Sequence, residues 1–236
     1  MGKIGGIDIG DPYCSGGAFE LVEAPTNDDY IGEWKEISPI ELPDGWDVFL
    51  SSETAYIVAQ TEQDIPREEV FESSLGAATR ALDVFSIVSD FHGQTSDSRD
   101  DHILWWEGDN EENILKLVGT APLETRARAR ITVNGEKSTP TIPEWNESFR
   151  YFRLSILTDD IFDAYRNQFL AVEYFLSNIW PRETGENIGD WMERALSEAH
   201  DRYDISNYAP SEDDPVASIH GYQYEHVRCG MFHSQA

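Results

Sequence analysis

The spacing of apolar residues changes near Pro140 and Pro143, and this change constrains the fold more than any other feature of the sequence. Before it, apolar residues form short runs rich in β-branched and aromatic types, bounded by turn residues such as Asn134-Gly135. After it, they recur every three or four residues, as on one side of a helix. We therefore predict an α+β fold with two domains. Residues 1–145 form a mixed α/β region with short strands, and residues 146–236 form an all-α helical bundle.

Six strands and one helix are predicted in the first domain. The helix spans roughly Arg67–Asp90, where apolar residues recur with near-helical spacing. Gly93–Asp101 is polar and is predicted to be a surface loop. Gly6–Gly10 is similar to the first phosphate loop of actin-like sugar kinases, but the further motifs of those kinases are not found, so we expect a turn. The predicted strands are Ala18–Glu23, Trp46–Leu50, Ala55–Gln60, Ile103–Trp106, Ile114–Val118 and Arg126–Val133.

Three helices are predicted in the second domain. The first is capped by Thr158 or Asp159 and ends at Pro181. The second begins near Asn187, and Asp214-Pro215 supplies the cap and first residue of the third. The inward stripe of the first helix is predicted to contain Phe162, Tyr165, Phe169, Val172 and Leu176.

Charge is the most unusual bulk property of the chain. It carries 45 acidic and 17 basic residues, a formal net charge of −28. Repulsion of this size destabilises a folded chain in dilute buffer, but it is screened at molar salt, where the Debye length is about 3 Å. The acids are spread along the whole chain, which argues against a single acidic tail. We therefore predict a protein adapted to a high-salt cytoplasm.

The sequence also predicts where the chain resides. Cys14 and Cys229 are too few for a disulfide framework, which fits a reducing compartment. No apolar run reaches the roughly 18 residues of a membrane span, and the N-terminus lacks the pattern of a signal peptide. We therefore expect a cytoplasmic protein that makes no membrane contact.

The strongest chemical signal is Arg228-Cys229-Gly230-Met231-Phe232-His233, which places a histidine five residues after an arginine. Histidine titrates near neutral pH and can take the proton of a ribose 2′-hydroxyl. The planar guanidinium fork suits the charge that builds on an attacked phosphate. On an α-helix a five-residue step turns about 140°, so both groups would flank one edge of the helix. The pair can therefore supply a base and a phosphate-binding cation without a metal or cofactor.

Together with Tyr165–Glu173, this motif resembles the HEPN superfamily of helical-bundle proteins, whose RNA-cleaving members carry Arg-x(4–6)-His near their last helices. Phe149–Ser155 and the segment after it also look like the methylamine-utilisation J-type proteins, in which a variable N-terminal part precedes a HEPN-like region. The resemblance covers about the last 85 residues. It implies an endoribonuclease of a defence or stress system that cleaves RNA without a metal or cofactor and leaves a cyclic phosphate. Its partners would be RNA, a second copy sharing one catalytic cleft, and a cognate antitoxin or defence protein.

Two features depart from the pattern of that superfamily. Cys229 stands where a small polar residue such as Asn is usual. The chain also stops at Ala236, where similar proteins continue into another helix, so we expect either a truncated C-terminus or a dimer that supplies the missing packing. Both departures favour an alternative hypothesis, a catalytically inactive HEPN-like module whose N-terminal domain senses a ligand or protein.

Several further residues are candidates for supporting roles. Arg166 and Glu173 border the apolar stripe of the first bundle helix, where similar proteins often turn a polar residue toward the cleft; either can equally be a border charge. Three arginines alternate on a predicted strand and share one face. They would either track a nucleic-acid backbone or pair with surface acids. These three are Arg126, Arg128 and Arg130.

A zinc site is the alternative interpretation of the C-terminal motif. His226, Cys229 and His233 would share one side of a helix, and both residue types bind zinc. One helix rarely supplies three ligands, and the sequence contains no second ligand cluster such as Cys-x-x-Cys. We therefore predict no metal site.

Overall fold

In the computed structural model the chain divides into two units, Met1–Trp145 and Asn146–Ala236. The structure describes residues 2–23, 39–50, 56–88, 93–96, 102–107, 113–117, 143–211 and 213–228. For residues 2, 23, 107, 113–117, 223 and 226–228 it describes the backbone alone. In this part of the chain, no helix is both long and apolar enough to cross a membrane.

An antiparallel sheet forms the centre of the first unit. Strands β4, β5, β6, β3, β8 and β9 lie side by side in that order, and β7 pairs with the C-terminal end of β3. The elements described in this unit are β1 (Gly2–Ile4), β2 (Ile7–Ile9), β3 (Ser15–Glu23), β4 (Ile40–Glu41), β5 (Trp46–Leu50), β6 (Tyr56–Thr61), α1 (Val70–Val88), β7 (Gly93–Thr95), β8 (Ile103–Glu107) and β9 (Asn113–Leu117). The mixture of helix and strand predicted for this unit is confirmed.

One face of the sheet is covered by α1. Side chains of β3 alternate between the faces, and Phe19 is fully buried on the side of the helix. Gly17 shares that side, and a Cβ built there would lie 2.6 Å from Ser74 Oγ of α1. The buried face of α1 is mostly small or aliphatic, so helix and sheet approach closely. It contains Val70, Ala77, Ala78, Ala81, Leu82 and Phe85.

The opposite face is covered by the hairpin of β1 and β2. Gly5 and Gly6 form its turn with positive φ angles of 54° and 84°, which glycine adopts without strain. The hairpin isoleucines Ile4, Ile7 and Ile9 pack against a buried cluster of Ala18, Val58 and Trp105. Gln60 Nε2 donates a hydrogen bond to the Asp8 carbonyl at 3.1 Å, which ties the hairpin to β6.

Several sequence predictions for this unit need correction. Gly93–Thr95 is a strand and not part of a loop, because it pairs with Leu21–Glu23. Ile7–Ile9 is also a strand, so the turn predicted for Gly6–Gly10 is wrong there. The strand predicted at Arg126–Val133 lies outside the described residues. Trp46–Leu50 is confirmed as predicted.

In its described part the second unit consists of helices and the turns that connect them. Its elements are α2 (Glu147–Leu157), α3 (Ile161–Ile179), α4 (Ile188–Tyr203), a 3-10 turn (Ile205–Tyr208), α5 (Pro215–Ile219) and a π-helical segment (His220–Arg228). Helices α3 and α4 supply the buried core, against which α5 and the π-helical segment also pack. The buried core residues are Phe169, Leu176, Trp191, Met192, Ala195, Leu196 and Ala199.

The helix starts follow the capping rules, with one shift. Asp214 caps α5 as predicted, and Asn187, near which the second helix was predicted to begin, caps α4; in both, a side-chain oxygen accepts from a backbone N–H group. Helix α3 is capped by Asp160 and not by Thr158 or Asp159, because its carboxylate accepts from the N–H groups of Phe162 and Asp163.

The inward stripe predicted for α3 is partly wrong. Phe169 and Leu176 are buried, but Phe162 is 67% exposed and Val172 is 37% exposed. The reason is that α3 contacts α2, α4 and the π-helical segment on different sides, so its buried positions do not form one stripe. It packs against α4 through Phe169 and Leu176, and against α2 through the Tyr151–Tyr174 ring pair, with centroids 5.2 Å apart. Other apolar positions of α3 therefore remain at the surface.

Candidate functional site at the end of the last helix

Arg228 is the final residue of the π-helical segment that starts at His220. The helix begins regularly, because Asp214 Oδ1 accepts from the Ala217 N–H at 3.0 Å and Pro215 occupies the first helical position. From His220 the backbone then widens to an i→i+5 hydrogen-bond pattern. Such stretches are rare, and they recur at functional sites.

Tyr224 anchors this segment to the core. It packs against the buried cluster of α3 and α4, where Gly189 leaves room: a Cβ at that position would lie 3.1 Å from the Tyr224 ring. The His220 ring stacks on Tyr224 with centroids 5.2 Å apart and planes at 20°. Its Nε2 is buried and has no hydrogen-bond partner among the described residues.

Helix α3 lies alongside the π-helical segment. The hydroxyls of Tyr165 on α3 and Tyr222 on the segment are 3.4 Å apart, within hydrogen-bond distance. This hydrogen bond raises the pKa of the Tyr165 phenol, with a smaller electrostatic contribution from Tyr222. The helix that carries Arg166 and Glu173 is therefore a direct neighbour of the segment that carries Arg228.

Arg166 and Glu173 share one side of α3, since they are seven residues apart, or about 10 Å along the axis. The Arg166 guanidinium is half exposed and lies 3.7 Å from the Asp163 carboxylate, one turn earlier. Glu173 is partly buried. Arg166 is thus exposed and Glu173 half-buried, and their roles at the site stay predictions.

The other predicted site residues are only partly described. The backbone of Arg228 is placed, whereas its side chain and the whole of His233 lie outside the described residues. Arg126, Arg128 and Arg130 lie outside them as well. The structure therefore brings Arg166, Glu173 and the Arg228 backbone onto neighbouring helices.

The helix that leads into the motif differs in part from the prediction. The sequence predicted an α-helix, whereas the structure has an i→i+5 ladder over His220–Arg228. Arg228 is the last residue of that ladder, and residues 229–233 lie outside the described residues. The angle of about 140° between Arg228 and His233 therefore stays a prediction.

The described residues offer no group of three or more His, Cys, Asp or Glu side chains that could hold a metal ion. The His226 side chain, Cys229 and His233, which made up the zinc alternative, lie outside the described residues.

An uncharged face of α3 was missed by the sequence interpretation. Its residues recur at steps of four and three, so they form one stripe about 27 Å long. Ile161 is 65% exposed and Phe175 is 47% exposed. Apolar residues occur on several sides of α3, and the sequence alone does not tell which side meets a neighbour. The stripe consists of Ile161, Tyr165, Gln168, Val172, Phe175 and Ile179.

A scan against protein-family models, a search of curated proteins and a search of solved structures found no match. The candidate function therefore rests on the residues and geometry described above.

Proposed function

We propose that this chain is a metal-independent endoribonuclease of HEPN type that uses Arg228 and His233. The observation that carries the proposal is the nine-residue π-helical segment that ends at Arg228. A π-helix departs from regular α-helical geometry, and π-helical turns are found frequently at functional sites.

The proposed reaction needs one base and one cation. The His233 imidazole takes the proton of a ribose 2′-hydroxyl, whose oxygen attacks the adjacent phosphorus. The bond from phosphorus to the 5′-oxygen breaks, and the departing oxygen takes a proton from water, so the products are a 2′,3′-cyclic phosphate and a 5′-hydroxyl. The Arg228 guanidinium stabilises the negative charge that builds on the phosphate oxygens during attack.

The neighbouring surface of α3 suits an unpaired RNA strand. Tyr222 is 44% exposed and Phe162 is 67% exposed, and Tyr165 lies beside Tyr222. Aromatic rings at a surface stack on unpaired bases. Arg166 on the same helix would contact a phosphate, and Arg126, Arg128 and Arg130 remain candidates for backbone binding.

A second copy of the chain is proposed as the partner. In a chain of net charge −28, association is opposed wherever acids face each other. The uncharged face of α3 offers contact without that repulsion. A stable interface needs about 800 Å² per partner, so residues beyond this one stripe would also take part. We place the dimer in a defence or stress system on the basis of the resemblance alone.

The cleavage test uses mixed RNA in molar KCl with EDTA. We expect the wild type to cleave and to leave cyclic phosphate ends. His233→Ala should lower the rate by about 100-fold or more, the usual contribution of a general base. Arg228→Lys should also slow cleavage, because it keeps the charge but loses the planar fork. His200→Ala on α4 is the matched control and should retain the wild-type rate.

Two outcomes would contradict the proposal. Cleavage that disappears in EDTA would indicate a metal-dependent enzyme. No cleavage by folded wild type would favour the catalytically inactive HEPN-like module, whose N-terminal domain senses a ligand or protein.

A further inference from the structure

A groove of about 480 Å³ opens at the β4 edge of the first unit. That volume lies within the range of small-molecule sites. Its walls are formed by Pro39–Pro43 around the edge strand, Val84 of α1 and Pro143–Trp145. Most of these side chains are apolar, so the groove can exclude water from part of a bound molecule.

Trp145 presents a fixed aromatic ring to this groove. Its Nε1 donates a hydrogen bond of 3.0 Å to Asp83 Oδ2, and Asp83 is only 1% exposed. A buried carboxylate accepts from one edge of the indole and so holds the ring in one orientation. The negative π-face of an indole attracts cations.

Two carboxylates complete the groove. Glu41 and Glu144 both line it and are exposed. Within the described part of the chain neither forms an ion pair, whereas Glu186 pairs with Arg194 and Asp44 with Arg80. Among the residues that the structure describes, no lysine, arginine or histidine lines the groove. The described walls therefore combine apolar side chains, an oriented indole and two carboxylates that form no ion pair with another described residue.

We propose that this groove binds a small organic cation with a primary ammonium group on an apolar body. The ammonium is paired by Glu41 and Glu144, and the body lies against Trp145 and Val84. An anion would meet two like charges, and a neutral molecule would leave both carboxylates uncompensated. Potassium is abundant in a high-salt medium, but it cannot use the apolar walls, so an organic cation displaces it.

The test titrates the full chain with phenethylammonium chloride in molar KCl, read by calorimetry and by the indole N–H resonance of Trp145. 2-Phenylethanol has the same aromatic body without the charge, and 3-phenylpropionate carries the opposite charge. We expect the ammonium compound to bind about tenfold more tightly than the alcohol and the anion not to bind. In the double variant Glu41→Gln/Glu144→Gln, affinity for the ammonium should fall to that for the alcohol. Glu68→Gln/Glu69→Gln, two exposed acids before α1, is the matched control and should bind as the wild type does.

Several results would overturn the proposal. These are equal affinity for the ammonium compound and the alcohol, unchanged binding in the double variant, or no saturable binding. Tighter binding of a lysine-rich peptide than of phenethylammonium would assign the groove to a protein segment instead. If the double variant is unfolded by circular dichroism, Val84→Phe serves as the second variant: it fills the groove and should abolish binding. RNA cleavage involves the other unit, so either proposal can fail without the other.

Discussion

Gly17 sets how closely α1 approaches the sheet. A Cβ at this position would lie 2.6 Å from Ser74 Oγ and 2.8 Å from the Phe19 ring, and both are buried. We expect Gly17→Ala to lower the free energy of unfolding by about 1–3 kcal/mol, as overpacking does. Gly76→Ala on α1 is the control, because its nearest neighbour is Arg80 Nη1 at 3.7 Å. It should be neutral or stabilising by up to about 1 kcal/mol. Urea unfolding measures the free energy of unfolding of both variants. Equal stability of Gly17→Ala and Gly76→Ala would contradict the packing argument.

Glu186 and Arg194 form a clamp at the start of α4. Both guanidinium contacts to the carboxylate are 2.9 Å, and the Glu186 carboxylate also accepts from the Glu183 N–H. The hydrogen bond from Arg194 is the main cause that lowers the pKa of Glu186 to about 2, from an ordinary value of 4.5. A lowered pKa in the folded state adds stability above the unfolded value, and this stability is lost as pH falls from about 4.5 to about 2.

The clamp predicts how acid unfolding responds to a substitution. Glu186→Gln should lose stability at pH 7 and change little at pH 2, where the wild-type carboxyl is also becoming protonated. Glu193→Gln, an exposed acid on α4, should behave as the wild type. Thermal unfolding across this pH range measures the difference. A constant gap between Glu186→Gln and wild type at every pH would contradict the linkage.

The uncharged face of α3 makes a prediction at the scale of an element. If this face meets a second copy, Phe175→Gln should weaken self-association by about tenfold or more, since a buried aromatic dominates such contacts. Ser177→Gln, which is exposed on another side of α3, introduces the same residue as a control. Sedimentation equilibrium in molar KCl gives the dissociation constants. Equal constants for both variants would remove α3 from the interface.

Elements with local signals could be predicted from the sequence, and elements held by distant contacts could not. Helix α4 could be placed because Asn187 caps it and its apolar residues repeat regularly. Strand β7 has no apolar pattern and exists through pairing with Leu21–Glu23. The π-helical segment was predicted as an α-helix, because local propensity favours that form and the contact between Tyr224 and Gly189 is not visible in sequence. The candidate site shows the same difference. The motif in the sequence indicated Arg228, whereas the exposed face of α3 depends on which elements pack against that helix.

At the scale of the whole molecule, charge should control stability. With a net charge of −28, folding concentrates like charges that the unfolded chain keeps apart. We expect the melting temperature to rise from dilute buffer to molar KCl. A gain of about 2 kcal/mol would correspond to about 4–8 °C for a chain of this length. Sucrose stabilises without screening charge and serves as the control; a larger rise in sucrose than in KCl would contradict the electrostatic explanation.

Salt that screens this repulsion also removes what keeps neighbouring molecules apart, so the sheet edge must resist aggregation by other means. The edge strand β4 has two residues and lies between Pro39 and Pro43. Proline has no N–H to donate, and so short a strand offers little backbone for another chain to extend. Neither property depends on charge. We therefore expect that salt does not promote fibre growth from this edge.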